Sequence, residues 1–220
     1  MTSTQRHADQ AIALCEAARR MTELGLNQGT AGNLSIRTEK GFLITPTGAD
    51  CASLKPEGLV PMRFDGSHEG PLLPSSEWQF HRDIFQARPE VNAVLHAHPM
   101  FCTTLACLRL GIPSFHYMIA VAGGPDIRCA PYATFGSEEL SLHAVEALRG
   151  RLACLLANHG MIAVGVSIEK ALKLAHEVET LAAMYWRARQ AGEPVLLDED
   201  EMQRVLEKFK TYGQQPGTSK

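Results

Sequence analysis

The sequence predicts an α/β fold: three layers, α/β/α, with a mainly antiparallel, mixed central sheet covered by helices on both faces. Three observations lead there. Apolar runs of strand length are interspersed along the chain with helical apolar stripes. Several neighbouring strands are joined by turns too short for a crossover helix, which favours antiparallel pairing. No linker or internal repeat divides the chain, so all 220 residues are expected to form one domain.

The first element is a helix over His7 to Leu24, with Ala11, Leu14, Ala18, Met21 and Leu24 on one stripe and Gly25 as its stop. Leu34 to Arg37 and Phe42 to Thr45 follow as two short strands around a polar turn containing Gly41. Pro74-Ser75-Ser76 opens a helix to about Ala87, closed by the Arg88-Pro89 break. A buried strand at 91–97 comes next, then a helix from about Met100 to Leu110 ending at Gly111. Segments 114–121 and 127–134 have β character, with Gly123-Gly124-Pro125 turning between them. A helix from Ser137 to Leu148 precedes a strand at 152–157, and Met161 to Val164 makes a further short strand. Ser167 caps a long helix to about Gln190, with Glu169 near its positive end. A last amphipathic helix spans Glu199 to Phe209, and the polar tail 213–220 is expected to be disordered.

Composition sets bounds on function. A net charge of −3 gives no reason to expect nucleic acid or an anionic membrane as partner. No apolar run approaches the ~20 residues that would span a bilayer. The first ten residues are polar and lack a signal-peptide core. Six cysteines form no Cys-x-x-Cys pair and sit mostly in apolar stretches, so they read as buried free thiols in a reducing compartment. The expected location is the cytoplasm.

The chemistry begins at His96 and His98. They stand two apart at the end of an apolar strand, and residues two apart on a strand share a face. His159 closes a second apolar run, in Asn158-His159-Gly160. Three histidines at two strand ends suit a catalytic zinc, which takes three protein ligands and keeps one position open. The remaining histidines, His81 and His116 among them, lack strand-paired spacing and read as surface or packing residues.

Three polar turns carry glycine or hydroxyl groups: Gly29-Thr30-Ala31-Gly32-Asn33, Thr45-Pro46-Thr47-Gly48 and Pro74-Ser75-Ser76-Glu77. Glycine admits a ligand close to the backbone, and short polar side chains add donors. The third turn starts a helix, whose free amides favour an anion. Converging, the three could cradle a phosphate without a lysine; apart, each is ordinary loop chemistry and the serines are helix caps. No nucleotide-binding Gly-x4-Gly-Lys-Ser/Thr or Gly-x-Gly-x-x-Gly motif is present. Glu77, in the first turn of that helix, suits the helix dipole and stands where it could move protons beside a zinc.

These motifs in this order resemble the class II aldolase/adducin family. The resemblance runs over about residues 6 to 213 and includes His116-Tyr117-Met118-Ile119-Ala120, Pro131-Tyr132-Ala133-Thr134-Phe135-Gly136 and Glu207-Lys208-Phe209-Lys210-Thr211-Tyr212-Gly213. Those last three segments look like the members of the family that act on L-fuculose phosphate. The resemblance implies one zinc per subunit, held by His96, His98 and His159, with Glu77 as a further ligand that leaves when substrate binds. It also implies that Gly32, Asn33, Thr47, Gly48, Ser75 and Ser76 hold the substrate phosphate. Tyr117 is implied as a proton carrier, and Phe135 and Tyr212 as neighbours of the aldehyde end. Asn158 departs from the family pattern, which has a histidine before the ligand histidine.

The implied activity is reversible aldol cleavage of a 1-phosphoketose of the L-fuculose 1-phosphate type. The products are dihydroxyacetone phosphate and a small aldehyde such as L-lactaldehyde. The same chemistry on 5-deoxyribulose 1-phosphate or 5-methylthioribulose 1-phosphate is the alternative. A sugar-phosphate epimerase, a dehydratase and a non-catalytic adducin-like binding module are the further readings. The family further implies a homotetramer with active sites at subunit interfaces, where Tyr117 and Tyr212 reach a neighbouring chain's site.

Overall fold

In the computed structural model, residues 3–211 are described. Tyr212, expected near the aldehyde end, and the tail 213–220, expected to be disordered, lie outside the described residues. The described chain runs α1 (Ser3–Glu23), β1 (Asn33–Arg37), β2 (Gly41–Ile44), β3 (Val60–Arg63), α2 (Trp78–Ala87), β4 (Ala93–Ala97) and α3 (Met100–Cys107). It continues with β5 (Arg128–Ala130), α4 (Glu138–Ala147), β6 (Ala153–Leu156), β7 (Gly160–Gly165), α5 (Ile168–Ala191) and α6 (Glu199–Phe209).

The strands form one seven-stranded sheet in the order β3-β2-β1-β4-β7-β6-β5. Every pairing is antiparallel except β5 with β6, which is parallel. The mainly antiparallel, mixed sheet read from the short turns is the sheet observed. Helices cover both faces. On one side Leu34, Ile36, Leu95, Ala97, Met161 and Ala163 pack with residues of α1, α3, α5 and α6. On the other, Phe42, Ile44, Val94, Ile162 and Val164 pack with Phe80, Ile84 and Phe85 of α2 and Leu140 and Ala144 of α4.

Strand alternation decides where the polar residues go. With Leu34 and Ile36 committed to the first core, Asn33 and Ser35 must face the α2 side. With Leu95 and Ala97 committed likewise, His96 must join them there. Burial of apolar side chains on both faces of the central strands thus fixes the register that presents the polar groups.

Three local expectations need correction. Segment 114–121 is not a strand: Tyr117–Ala122 forms a 3-10 helix, which His116 caps by accepting the Met118 N–H through its side chain (3.2 Å). The β segment at 127–134 shrinks to Arg128–Ala130, since β6 offers it only three partners. The helix expected from Pro74 starts at Trp78, with Glu77 in the capping position but making no side-chain cap bond; Ser75 Oγ accepts the Glu77 N–H at 3.3 Å just ahead of the helix. Ser137 and Ser167 do cap α4 and α5, accepting from Leu140 N and Lys170 N. Of the six cysteines, all unpaired, Cys107 is exposed and Cys129 half-buried, so not every thiol is in the core.

Candidate active site

The three histidines converge. β4 carries His96 beside Asn33 of β1, its direct cross-strand partner. His98 follows β4 and precedes Pro99, which opens α3. The carboxylate of Glu179, from α5, accepts the Phe101 and Cys102 N–H groups at 2.8 Å each, pinning the first turn of α3. His159 ends the three-residue loop 157–159 between β6 and β7, where Leu156 pairs with Gly160. That loop needs one left-handed residue, and Asn158 supplies it at φ 54°. Its side-chain oxygen accepts from Arg109 Nε at 3.2 Å.

The nitrogens available from His96, His98 and His159 lie within 4.8 Å of one another. His96 Nδ1 donates to the Met161 carbonyl (2.9 Å), which leaves Nε2 to face inward. His96 Nε2 and His98 Nε2 are 2.9 Å apart. The Glu77 carboxylate closes the cluster at 3.2 Å from His96 Nε2 and 3.3 Å from His159 Nε2. Glu77 Oε1 is buried and has no hydrogen-bond partner. Ligands about 2.0–2.1 Å from a tetrahedral zinc stand roughly 3.3 Å from one another. Contacts of 2.9, 3.2 and 3.3 Å among these inward atoms, plus an orphaned carboxylate oxygen, are a donor set that fits a zinc ion.

Electrostatics follow from burial. Burial alone would raise the Glu77 carboxyl. The neighbouring His96 and His159 and the Asn33 amide outweigh it and hold the group well below the usual carboxylate range. Burial, reinforced by His96, pushes His159 down to about 3 and His98 down to about 4. Both therefore stay neutral and able to ligate at neutral pH.

The three polar turns line one cavity of about 300 Å³ together with Glu77, His98 and His159. Gly32, Asn33, Thr47, Gly48, Ser75 and Ser76 all border it, and so does Phe135. The Thr45 carbonyl accepts Ser75 N–H at 3.0 Å, and the Leu73 carbonyl accepts Thr47 N–H at 3.1 Å, tying the second turn to the third. Gly32 has φ +78°, and a Cβ there would stand 2.7 Å from the His96 carbonyl oxygen. No lysine or arginine is among the lining residues. Backbone amides and hydroxyls are what the cavity offers an anion.

Tyr117 does not line this cavity; it stands on the 3-10 helix with 51% of its surface exposed. That helix packs against α5 and α6. Tyr212 lies outside the described residues. The structure gives a place in the site to residues that the sequence motifs contain but assign no role of their own. Thr30, Ala31 and Tyr132 line the cavity. His81, read as surface or packing, is fully buried and bonded to Asn33. Its signal was present in the sequence: Glu77 and His81 are four apart at the start of one helix, and so share a face.

Residues 12–186 match the class II aldolase and adducin N-terminal domain family. A protein of Rhodospirillum rubrum called 5-methylthioribulose-1-phosphate/5-deoxyribulose-1-phosphate aldolase is 59% identical over 200 residues, 91% of this chain and 90% of that one. An Escherichia coli L-fuculose phosphate aldolase is 54% identical over 194 residues, 88% of this chain and 90% of its own. A solved structure of an L-fuculose 1-phosphate aldolase superposes with a TM-score of 0.89 at 44% identity, over 92% of this chain and 96% of its own. The sequence match, the shared fold and the converged histidines and carboxylate lead to one conclusion: this chain belongs to the class II aldolase and adducin family.

Proposed function

We propose that this protein is a zinc-dependent aldolase that reversibly cleaves a 1-phosphoketose to dihydroxyacetone phosphate and a small aldehyde. One observation carries the reading: a single cavity joins a three-histidine, one-carboxylate cluster to an uncharged cradle of amides and hydroxyls. The cradle suits a phosphate and the cluster suits a metal, so the carbons between them are the ones that react. The adducin-like reading, a module without chemistry, has no use for such a cluster.

His96, His98 and His159 would hold one zinc per subunit, with Glu77 as a fourth, exchangeable ligand. Bound there, zinc supplies Lewis acidity that lowers the cost of charge developing on the substrate carbonyl oxygen, by several kcal/mol. The cradle residues Asn33, Thr47, Ser75 and Ser76 fix the phosphate and with it the position of the reacting bond. In cleavage, Tyr117 takes the proton of the hydroxyl on carbon 4 as the bond between carbons 3 and 4 breaks. Glu77 then returns a proton to carbon 3, completing dihydroxyacetone phosphate. In the reverse direction Glu77 removes that proton. Leaving the imidazoles that depress it raises the proton affinity of the carboxylate, which suits it to this task.

The aldehyde half is the variable part. The Rhodospirillum rubrum and Escherichia coli relatives are named for substrates with the same phosphate end and different far ends. Phe135, at the cavity border and 66% exposed, is placed to meet that far end. The greater identity, 59%, is to the relative named for 5-methylthioribulose and 5-deoxyribulose phosphates, which favours a role in 5′-deoxynucleoside salvage. L-Fuculose 1-phosphate is the second reading, on 54% identity. A coupled assay for dihydroxyacetone phosphate across these three substrates, read as kcat/KM, decides between them. Release from none of them would sink the aldolase reading. Elemental analysis should find one zinc per chain, lost in His96→Ala. A cytoplasmic homotetramer completes the proposal, in keeping with its metabolic relatives.

A further inference from the structure

A chain of four buried side chains runs from β1 into the cluster. Ser35 Oγ lies 2.6 Å from His81 Nδ1, and His81 Nε2 lies 2.5 Å from Asn33 Oδ1. Asn33 Nδ2 donates to Glu77 Oε2 at 2.9 Å. Ser35 and His81 are fully buried, and Asn33 and Glu77 nearly so.

The chemistry of each group allows one direction only. A carboxylate accepts and cannot donate, so the Asn33 amide must turn its N–H to Glu77. Its oxygen then faces His81, whose Nε2 must carry the proton. His81 Nδ1 is left as an acceptor, satisfied by the Ser35 hydroxyl. The ring is held neutral, since burial, reinforced by His96, pushes it down to about 3. Phe80 stacks on it at a centroid distance of 4.6 Å, which closes off solvent.

Freed of His81, the Asn33 amide could rotate by half a turn and set its oxygen against the carboxylate. Glu77 would then lose its hydrogen bond and face like charge. We infer that His81 is a positioning residue: with Ser35 it locks the Asn33 amide so that its N–H holds the Glu77 carboxylate against His96 and His159. The inference rests on the reading of those histidines as metal ligands. The same lock leaves an oriented N–H at the border of the cavity when Glu77 swings out, ready to bond the substrate.

The test exploits two polar replacements. In His81→Gln the side-chain amide nitrogen reaches the place of the imidazole Nε2 and can still donate to Asn33. In His81→Asn it reaches only the Nδ1 position and cannot. Both lose the stack on Phe80; His81→Asn also removes a buried methylene, whose packing cost shows in Tm, whereas loss of the donor shows in zinc retention. The readout is zinc retained against a competing chelator, with circular dichroism and Tm checking the fold. His81→Gln should stay within about threefold of the wild type, and His81→Asn should lose about tenfold or more, the usual range for groups that orient metal ligands. Equal retention in the two variants overturns the inference. Should His81→Asn fail to fold, Ser35→Ala, which removes one oxygen, should weaken retention in the same direction; wild-type retention there overturns it too. Wild-type protein without zinc overturns the metal reading and this inference with it. Exchange of the reacting proton of dihydroxyacetone phosphate in deuterated water is measured in parallel. Wild-type protein that keeps zinc and shows no exchange counts against the aldolase reading alone.

Discussion

At Glu77 two demands meet. Its carboxylate lies 3.2 Å from His96 Nε2 and 3.3 Å from His159 Nε2, which suits a ligand. A group so stabilised as an anion is a poor base until it moves away. Replacing it by glutamine keeps the shape and the bond from Asn33 but removes the proposed proton carrier. Glu77→Gln should lower kcat by about 10²-fold or more, with proton exchange on dihydroxyacetone phosphate slowing in step. Unchanged exchange would assign the base to another group. His81 has its own signature in stability. Its folded pKa of about 3 lies below the ordinary value near 6.5, first through burial and then through His96, with Glu77 acting the other way. Only the unfolded chain takes up this proton between those limits. The stability it represents is complete above pH 6.5 and is lost as pH falls toward 3. His81→Gln should therefore flatten the acid limb of the unfolding free energy by about 1.4 kcal/mol per pH unit near pH 5. Parallel limbs for variant and wild type would show that the buried ring titrates normally.

At the scale of elements, the site is held by a strand end, a hairpin and a helix start, each closely packed on the next. A Cβ at Gly160 would stand 2.5 Å from the Ala97 carbonyl oxygen and 2.6 Å from His98 Cδ2. Gly160→Ala must push β4 from β7 or turn the His98 ring. It should cost about 1–3 kcal/mol in denaturant unfolding and weaken zinc retention together. Loss of stability with unaltered zinc binding would show that the strain relaxes away from His98. The histidine pair at the end of β4 was legible because period-two spacing is local. His159 was legible because Asn-His-Gly ends an apolar run. β3 was not: Val60 and Met62 keep the buried alternation, but a proline between them reads as a strand breaker. The structure explains why proline is tolerated: β3 is the edge strand, and its outer side, where Pro61 accepts the Glu69 N–H, meets only the short 67–69 return and no further strand of the sheet. The apolar run before Gly123 read as a strand because periodicity takes no account of the His116 side chain that closes the 3-10 turn. His81 escaped notice because its partners, Asn33 and Ser35, lie more than forty residues away in sequence.

For the whole molecule, the described chain leaves apolar groups exposed around the site. Met100 and Leu108 are 65% and 58% exposed, and with Cys107 they border an opening that shares His98 and Ala31 with the site. Tyr117 stands on a different element, the 3-10 helix over which α6 packs, and does not line its own cavity. An aromatic proposed to carry a proton but displayed on the outside is readily explained if a neighbouring copy receives it. We expect a homotetramer in which Tyr117 serves the adjacent subunit's site, and subunit mixing tests this directly. Glu77→Gln and Tyr117→Phe proteins should each be nearly inactive alone. Unfolded together in equal amounts and refolded, they should form mixed tetramers. A site on a Tyr117→Phe chain keeps its own Glu77, and receives an intact Tyr117 whenever its neighbour is the Glu77→Gln chain. Random assembly places about one site in four in that arrangement, so about a quarter of wild-type activity should return. If Tyr117 acted within its own chain, each chain would carry one defect at its only site, and mixing would restore nothing.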